Sequence, residues 1–138
     1  MKRKKPTRKT NTETSKGEHL KLELPCEYAG KVVIPSIRAV IVKTLVEEYN
    51  YSRYRAAKLL GLTPAAVTYY INGERGKKLI EEIISREDLM KVIKEISAMI
   101  ASSKGINSRE AYIKYKESIC KICSQINIYA RKAGCHGA

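Results

Sequence analysis

The feature that most constrains the fold of this chain is a twenty-residue segment, Arg53–Asn72, with three residue types at fixed positions. Ala57 is the fifth residue of the segment, Gly61 the ninth and Val67 the fifteenth. A small fifth residue lets two helices approach closely, and a glycine at the ninth supplies the positive φ of a tight turn. A β-branched fifteenth residue packs the second helix onto the first. The segment therefore predicts two short helices that cross at a glycine corner.

The residues on either side of this corner predict where the two helices begin and end. Ser52 is placed to cap the first helix, which is expected to run to Leu60. Thr63 is placed to cap the second helix, with Pro64 at its first position, where a missing N–H costs nothing. The second helix is expected to end at Asn72-Gly73.

Upstream of this segment, the pattern changes from extended to helical. The alternation of Leu20, Leu22 and Leu24 predicts a short extended piece within residues 20–34. From Pro35 onward, apolar residues recur at helical spacing, which predicts a helix that ends near Asn50.

Downstream of the segment, the apolar pattern is helical throughout, so the expected fold class is all-α. One helix is predicted to begin at Lys77 and to continue with little or no break to Ala101. Asn107 or Ser108 is predicted to cap a last helix, with Glu110 three residues after Asn107 as in a capping box, and this helix is expected to run to about Arg131.

The net charge of the 138-residue chain is +13, from 27 Lys and Arg against 14 Asp and Glu. Such a chain attracts polyanions: nucleic acid, ribosomes or an anionic membrane surface. A Lys-rich solvated surface, common in thermophiles, is the alternative. Combined with the helix pair, the charge favours double-stranded DNA as the partner, with the second helix in the major groove. An ordinary helical hairpin with a glycine turn is the alternative for the helix pair.

This interpretation assigns roles to nine residues. The outward residues of the second helix are expected to contact base edges, thymine methyls or phosphates, although Tyr69 is as well explained as a half-exposed packing residue. Three arginines are expected to contact phosphates. The predicted DNA-binding residues are Arg53, Arg55, Thr63, Pro64, Ala65, Thr68, Tyr69, Asn72 and Arg75.

Composition divides the chain into three regions. Residues 1–19 are polar, with seven Lys and Arg against two Glu, and predict a disordered basic arm. Residues 20–76 hold the expected DNA-binding domain. Residues 77–138 hold the expected C-terminal helices for dimerisation and for the cysteine ligands.

Several function classes are excluded by what the sequence lacks. No apolar run approaches the roughly 18–20 residues needed to span a bilayer, and the basic N-terminus lacks a secretory signal, so a cytoplasmic location is expected. A glycine-rich phosphate loop, paired catalytic carboxylates and a nucleophile–base motif are all missing, and the chain has only two His. An enzyme is therefore not expected.

Three stretches resemble a known family: Pro25-Cys26-Glu27, Pro35–Ala39 and Tyr51–Gly76. They are similar to archaeal transcriptional regulators with a phage-repressor-type (Xre-type) helix-turn-helix, and a similar segment precedes the archaeal thiamine-phosphate synthase domain. The resemblance implies a compact helical DNA-binding domain that acts as a dimer. Relatives often carry Gln where this chain has Arg53, Pro64 and Tyr69, so their target sequence does not carry over.

The four cysteines are Cys26, Cys120, Cys123 and Cys135. Cys120 and Cys123 lie one helical turn apart, and four thiolates suit either an iron–sulfur cluster or Zn²⁺. The Pro-Cys-Glu motif and the regulatory context favour a [4Fe–4S] or [2Fe–2S] cluster. Zinc, buried free thiols and disulfides are the alternatives, with His136 as a substitute ligand.

Function follows from these features taken together. One recognition helix reads few base pairs and operators are usually palindromic, so a homodimer is expected, joined through the apolar stripes of residues 77–101 and 108–131. In the alternative, these stripes only complete the monomer's core. The sequence predicts a sequence-specific transcription regulator whose DNA binding is modulated by the cluster. The alternatives are a cofactor-free or zinc-stabilised repressor or antitoxin, and a structural nucleic-acid or ribosomal protein.

Overall fold

Residues 24–102 and 105–128 are described by a computed structural model, and within these ranges the chain forms helices and no β-strand. The predicted all-α class is confirmed. In chain order the helices are α1 Pro25–Tyr28, α2 Ile34–Glu47, α3 Arg53–Leu60, α4 Pro64–Ile71, α5 Ile80–Ser85, α6 Glu87–Ser102 and α7 Arg109–Ile126, with a π-helical turn, Ala29–Val33, between α1 and α2.

The predicted extended piece rests on Leu20, Leu22 and Leu24, and the structure describes only the last of these three residues. Leu24 alone is extended, and the chain is helical without interruption from α1 through the π-helical turn into α2. The start is stabilised locally, since Pro25 occupies the first helical position and the Glu27 carboxylate accepts a 2.8 Å hydrogen bond from the Leu24 N–H. In the π-helical turn, Ala29 and Val33 are buried. Residues 20–23 lie outside the described ranges.

The helical segment predicted from Lys77 to Ala101, with little or no break, begins later than predicted and has a break of one residue. Helix α5 begins only at Ile80, and Arg86 is extended (φ −103°, ψ 116°) between α5 and α6. The Arg86 guanidinium donates to the Asp88 carboxylate at 2.8 Å and to Gln125 Oε1 on α7 at 3.3 Å. This cross-helix contact and the acidic first turn of α6 favour a new helix start at this point.

Helix α7 has one of its two predicted caps and ends earlier than the sequence predicts. Ser108, rather than Asn107, is the cap, and its hydroxyl accepts a 3.1 Å hydrogen bond from the Ala111 N–H. The helix ends at Ile126, because Asn127 is extended (φ −80°, ψ 110°). Residues 129–131 of the predicted helix lie outside the described ranges.

One hydrophobic core joins all of these helices, with α2 at its centre. Helix α2 contacts α3, α4, α5, α6 and α7. Ile37, Ile41 and Leu45 of α2 are fully buried, as are residues of α6 and α7 such as Ile93 and Ile122. The core therefore spans both sides of residue 76, and α2 provides a rigid support for the helices that flank it.

Candidate nucleic-acid interface

Helices α3 and α4 form the helix pair that the sequence predicts, with the same caps and the same corner. The Ser52 hydroxyl accepts a 3.1 Å hydrogen bond from the Arg55 N–H, and the Thr63 hydroxyl accepts one of 3.1 Å from the Ala66 N–H. Gly61 lies at the corner with φ +70°. The predicted helix starts and the glycine corner are confirmed, because all three depend on local chemistry.

The inward positions of the pair are buried as the packing requires. Ala57 on α3 is 1% exposed and Val67 on α4 is 0% exposed. The Leu62 N–H donates to the Ala57 carbonyl at 2.8 Å, which closes the end of α3. The C-terminal end of α3 is held from outside as well, since the Ile106 N–H donates to the Leu59 carbonyl at 3.2 Å. The pair is therefore fixed both to itself and to the rest of the protein.

The outer face of α4 is open to solvent, judged from the residues that the structure describes. Most of the predicted outward side chains are exposed and one, Thr68, is half-buried. Tyr69, for which the sequence leaves open a packing role or a DNA contact, is 42% exposed. The exposed set is Thr63, Pro64, Ala65, Tyr69 and Asn72.

Each of the three predicted arginines is oriented by a neighbour, and two of them, Arg53 and Arg75, contact residues of α4. Arg53 donates from Nη1 to the Thr68 hydroxyl at 3.3 Å, which links α3 to α4. Arg55 lies over the Tyr51 ring at 4.4 Å from its centroid. Arg75, in the loop after α4, lies over the Tyr69 ring at 5.2 Å. Such contacts hold a guanidinium plane in place and still leave its donors available.

Three further exposed cations in or just after the helix pair are absent from the predicted set. Lys58 on α3 and Lys77 and Lys78 after α4 are exposed. Residues 51–78 contain six Lys and Arg and a single acid, Glu74. The basic run from Arg75 to Lys78 is the signal that could have identified two of these lysines.

The described cysteines do not form a metal site by themselves. Cys26 on α1 is exposed, whereas Cys120 is half-buried and Cys123 is buried, both on α7. Across residues 24–102 and 105–128, no three His, Cys, Asp or Glu side chains come together as metal ligands would. The remaining members of the predicted set, Cys135 and the substitute His136, lie outside the described residues.

A buried amide nevertheless brings the segments of Cys26 and Cys123 together. Asn127, which is fully buried, donates from Nδ2 to the Pro25 carbonyl at 2.9 Å and to Cys123 Sγ at 3.5 Å. The start of α1 therefore lies beside the end of α7, as the predicted four-cysteine site would require of these two segments.

Comparison with known protein families, with curated proteins and with solved structures finds no match to this chain. The resemblance to Xre-type regulators thus stays a prediction from the residues quoted above. Within the described ranges, no helix combines the length and the apolar character needed to cross a bilayer.

Proposed function

We propose that this protein is a sequence-specific transcription regulator that binds double-stranded DNA with α4 in the major groove. The observation that carries the proposal is the exposed outer face of α4, which two oriented arginines contact and whose inner face packs on α3. A major groove of about 12 Å width admits one α-helix, provided that no other part of the protein covers its outer face.

The outer face of α4 carries groups suited to base edges. Asn72 offers an amide that can both donate and accept, and Ala65 and Thr68 offer methyl groups for thymine. Pro64 has no N–H and adds an apolar surface. The Thr68 hydroxyl already accepts from Arg53, so its own hydrogen is directed away from that arginine and is available to an acceptor.

The oriented arginines suit the phosphate backbone on either side of the groove. Stacking on Tyr51 and Tyr69 limits the rotamers of Arg55 and Arg75 before DNA binds. Less side-chain entropy is then lost on binding, and each planar guanidinium presents paired donors to phosphate oxygens. Phosphate contacts of this kind fix the position of α4, while the residues on α4 select the sequence.

A homodimer completes the proposal, since two copies of α4 would read a palindromic site. Most of the apolar stripe residues of α5, α6 and α7 are buried in the protein's own core, which favours the alternative that they serve the monomer. The support that is left for an interface comes from large apolar side chains at the surface of α5 and α7 and just after α7: Ile84, Tyr112, Ile113 and Ile128.

Control by an iron–sulfur cluster is a separate hypothesis, since the described cysteines supply no ligand set of three. Its test is the iron, sulfide and zinc content of anaerobically purified protein, with its visible spectrum. A colourless, metal-free protein whose DNA affinity is unchanged by Cys26→Ser and Cys123→Ser would remove both the cluster and the zinc alternative.

The DNA-binding proposal is tested by selecting duplexes from a random pool and measuring affinity by fluorescence anisotropy. We expect Tyr69→Ala to weaken binding to the selected duplex, and Leu24→Ala, an exposed apolar side chain before α1, to leave it unchanged. Arg55→Gln should lower the slope of log K against log salt by about one, whereas Arg109→Gln, exposed at the start of α7, should not.

Two results would contradict the proposal. Absence of any selected sequence, with binding that depends on salt alone, would indicate a structural nucleic-acid protein instead. Equal losses in the Tyr69 and Leu24 variants would show that α4 is not the reading helix.

A further inference from the structure

A broad cleft lies on the flank of α4, beside its outer face. One wall is formed by the π-helical turn and the start of α2, and the other by the loop of residues 72–78 that follows α4. Its volume is about 960 Å³, within the range of about 300–1,000 Å³ typical of small-molecule sites. Ile71, half-buried on the side of α4, forms part of the floor.

The cleft has a strong excess of positive charge. Five cations line it, against two carboxylates, those of Glu74 and Glu81. Opposed walls of one charge, in a concave surface, concentrate anions more effectively than the same charges would on a convex surface. We name this site the basic cleft, and its cations are Lys31, Lys43, Arg75, Lys77 and Lys78.

The two walls are tied together by backbone contacts, so the cleft is preformed. Gly76 (φ +74°) packs so closely on α2 that a Cβ at this position would clash with the Pro35 carbonyl. The Leu79 N–H donates to the buried Ser36 hydroxyl at 3.1 Å, and Ser36 in turn donates to the Val32 carbonyl at 2.8 Å. A preformed site loses little conformational entropy when a ligand binds.

The charge pattern selects the class of ligand. Lysines on two facing walls suit a molecule with at least two separated anionic groups, and Lys and Arg are the side chains that bind phosphate best. The described lining contains no aromatic side chain to stack on a large ring, so the anionic groups must supply most of the recognition.

We propose that the basic cleft binds a small molecule carrying two or more phosphate groups, and that this ligand weakens DNA binding. The effect on DNA binding rests on the proposed function. The cleft shares Asn72 and Arg75 with the proposed DNA-binding surface. A bound polyanion would neutralise Arg75, Lys77 and Lys78 beside α4 and so repel the DNA backbone. Because the coupling is reciprocal, DNA would also weaken binding of the ligand.

Isothermal titration of the full chain with sodium pyrophosphate, in the absence of DNA, tests the site itself. We expect saturable binding with one site per chain, and a loss of roughly tenfold or more in affinity when Lys77→Gln and Lys78→Gln are combined. The matched control combines Lys91→Gln and Lys94→Gln, two exposed lysines on α6. Sodium sulfate at the same ionic strength should not show this saturable binding. Non-saturable heat, or equal losses in both double variants, would overturn the proposal.

The coupling is tested by anisotropy with the selected duplex. Pyrophosphate should weaken DNA binding beyond the effect of sulfate at equal ionic strength, and the Lys77/Lys78 double variant should lose this extra response. If pyrophosphate does not bind the free protein while the double variant binds DNA less tightly, the cleft holds the duplex backbone and the small-ligand proposal fails. In that case the DNA-binding proposal stands, which separates the two failures.

Discussion

Gly61 and Gly76 have almost the same backbone conformation and different surroundings. Both lie in the left-handed region, with φ +70° and +74°. A Cβ at Gly61 would meet open space, whereas one at Gly76 would clash with the Pro35 carbonyl of α2. The first glycine could be predicted from the sequence because a helix corner is a local motif. The second could not, because its requirement comes from a segment about 40 residues away in the chain.

Alanine at each glycine separates these two effects. We expect Gly61→Ala to cost about 1–2 kcal/mol of unfolding free energy from the left-handed conformation alone. Gly76→Ala should cost clearly more, since the backbone of the loop must also move away from α2. The control is Gly30→Ala, in the π-helical turn with open space around it, which should be neutral or slightly stabilising. Urea denaturation measures all three, and equal costs at Gly61 and Gly76 would contradict the clash.

Asn127 is the buried polar side chain that joins the two ends of the described fold. Asn127→Ala should destabilise the protein by about 1–3 kcal/mol, because the Pro25 carbonyl loses one of its two donors and the hydrogen bond between the two segments is lost. Asn107→Ala, at an exposed position that does not cap α7, is the control and should change the unfolding free energy by less than about 0.5 kcal/mol. A similar small effect at both positions, measured by urea denaturation, would show that the hydrogen bond from Asn127 to Pro25 contributes nothing to the stability of the fold.

At the scale of the elements, the sequence predicts what local chemistry controls and misses what distant contacts control. The starts of α3 and α4 are fixed by hydroxyl caps within three residues, and both were predicted. At the break between α5 and α6, Arg86 donates to Gln125 of α7, and a contact between residues so far apart in the chain leaves no local pattern. The same rule holds at the site, where the outward residues of α4 were predictable but the cleft beside it was not, since α2 forms one of its walls.

The contact between Arg86 and Asp88, at the break between α5 and α6, should stabilise the fold less in acid. The hydrogen bond from Arg86 lowers the pKa of Asp88 below its ordinary 3.8. The Asp88 carboxylate therefore stabilises the fold above its ordinary pKa, and this contribution is lost as the pH falls through the lowered value. We expect Asp88→Asn to be less stable than the wild type at neutral pH and the difference to shrink in this acid range. Because Asp88 is exposed, the effect will be small. A pH-independent difference, in denaturation series across the range, would contradict it.

At the scale of the whole molecule, α2 makes the proposed DNA-reading helices depend on the C-terminal ones. Its buried face packs on α3 and α4 on one side and on α5, α6 and α7 on the other. A fragment that ends at Gly76 would lose the contacts of α2 with α5, α6 and α7, and each apolar side chain of α2 that becomes exposed would cost about 1.5–3 kcal/mol.

We therefore expect a fragment of residues 20–76 to be unfolded at a temperature at which the full chain is folded. Far-ultraviolet circular dichroism and a thermal scan of both proteins test this. The full chain should unfold in one cooperative transition, because a single core spans it. A helical fragment with its own sharp transition, or two transitions in the full chain, would show that the two halves fold independently.

The Asn127 bridge places the two outer ends of the described chain next to each other. The Asn127 amide and the Pro25 carbonyl are 2.9 Å apart, although they are about 100 residues apart in sequence. Close ends of this kind permit circular permutation. A short glycine-serine linker from Ile128 to Leu24 would join these ends, with new termini opened between Ser102 and Gly105. Each helix would stay intact, and residues 105–128 would be synthesised before residues 24–102.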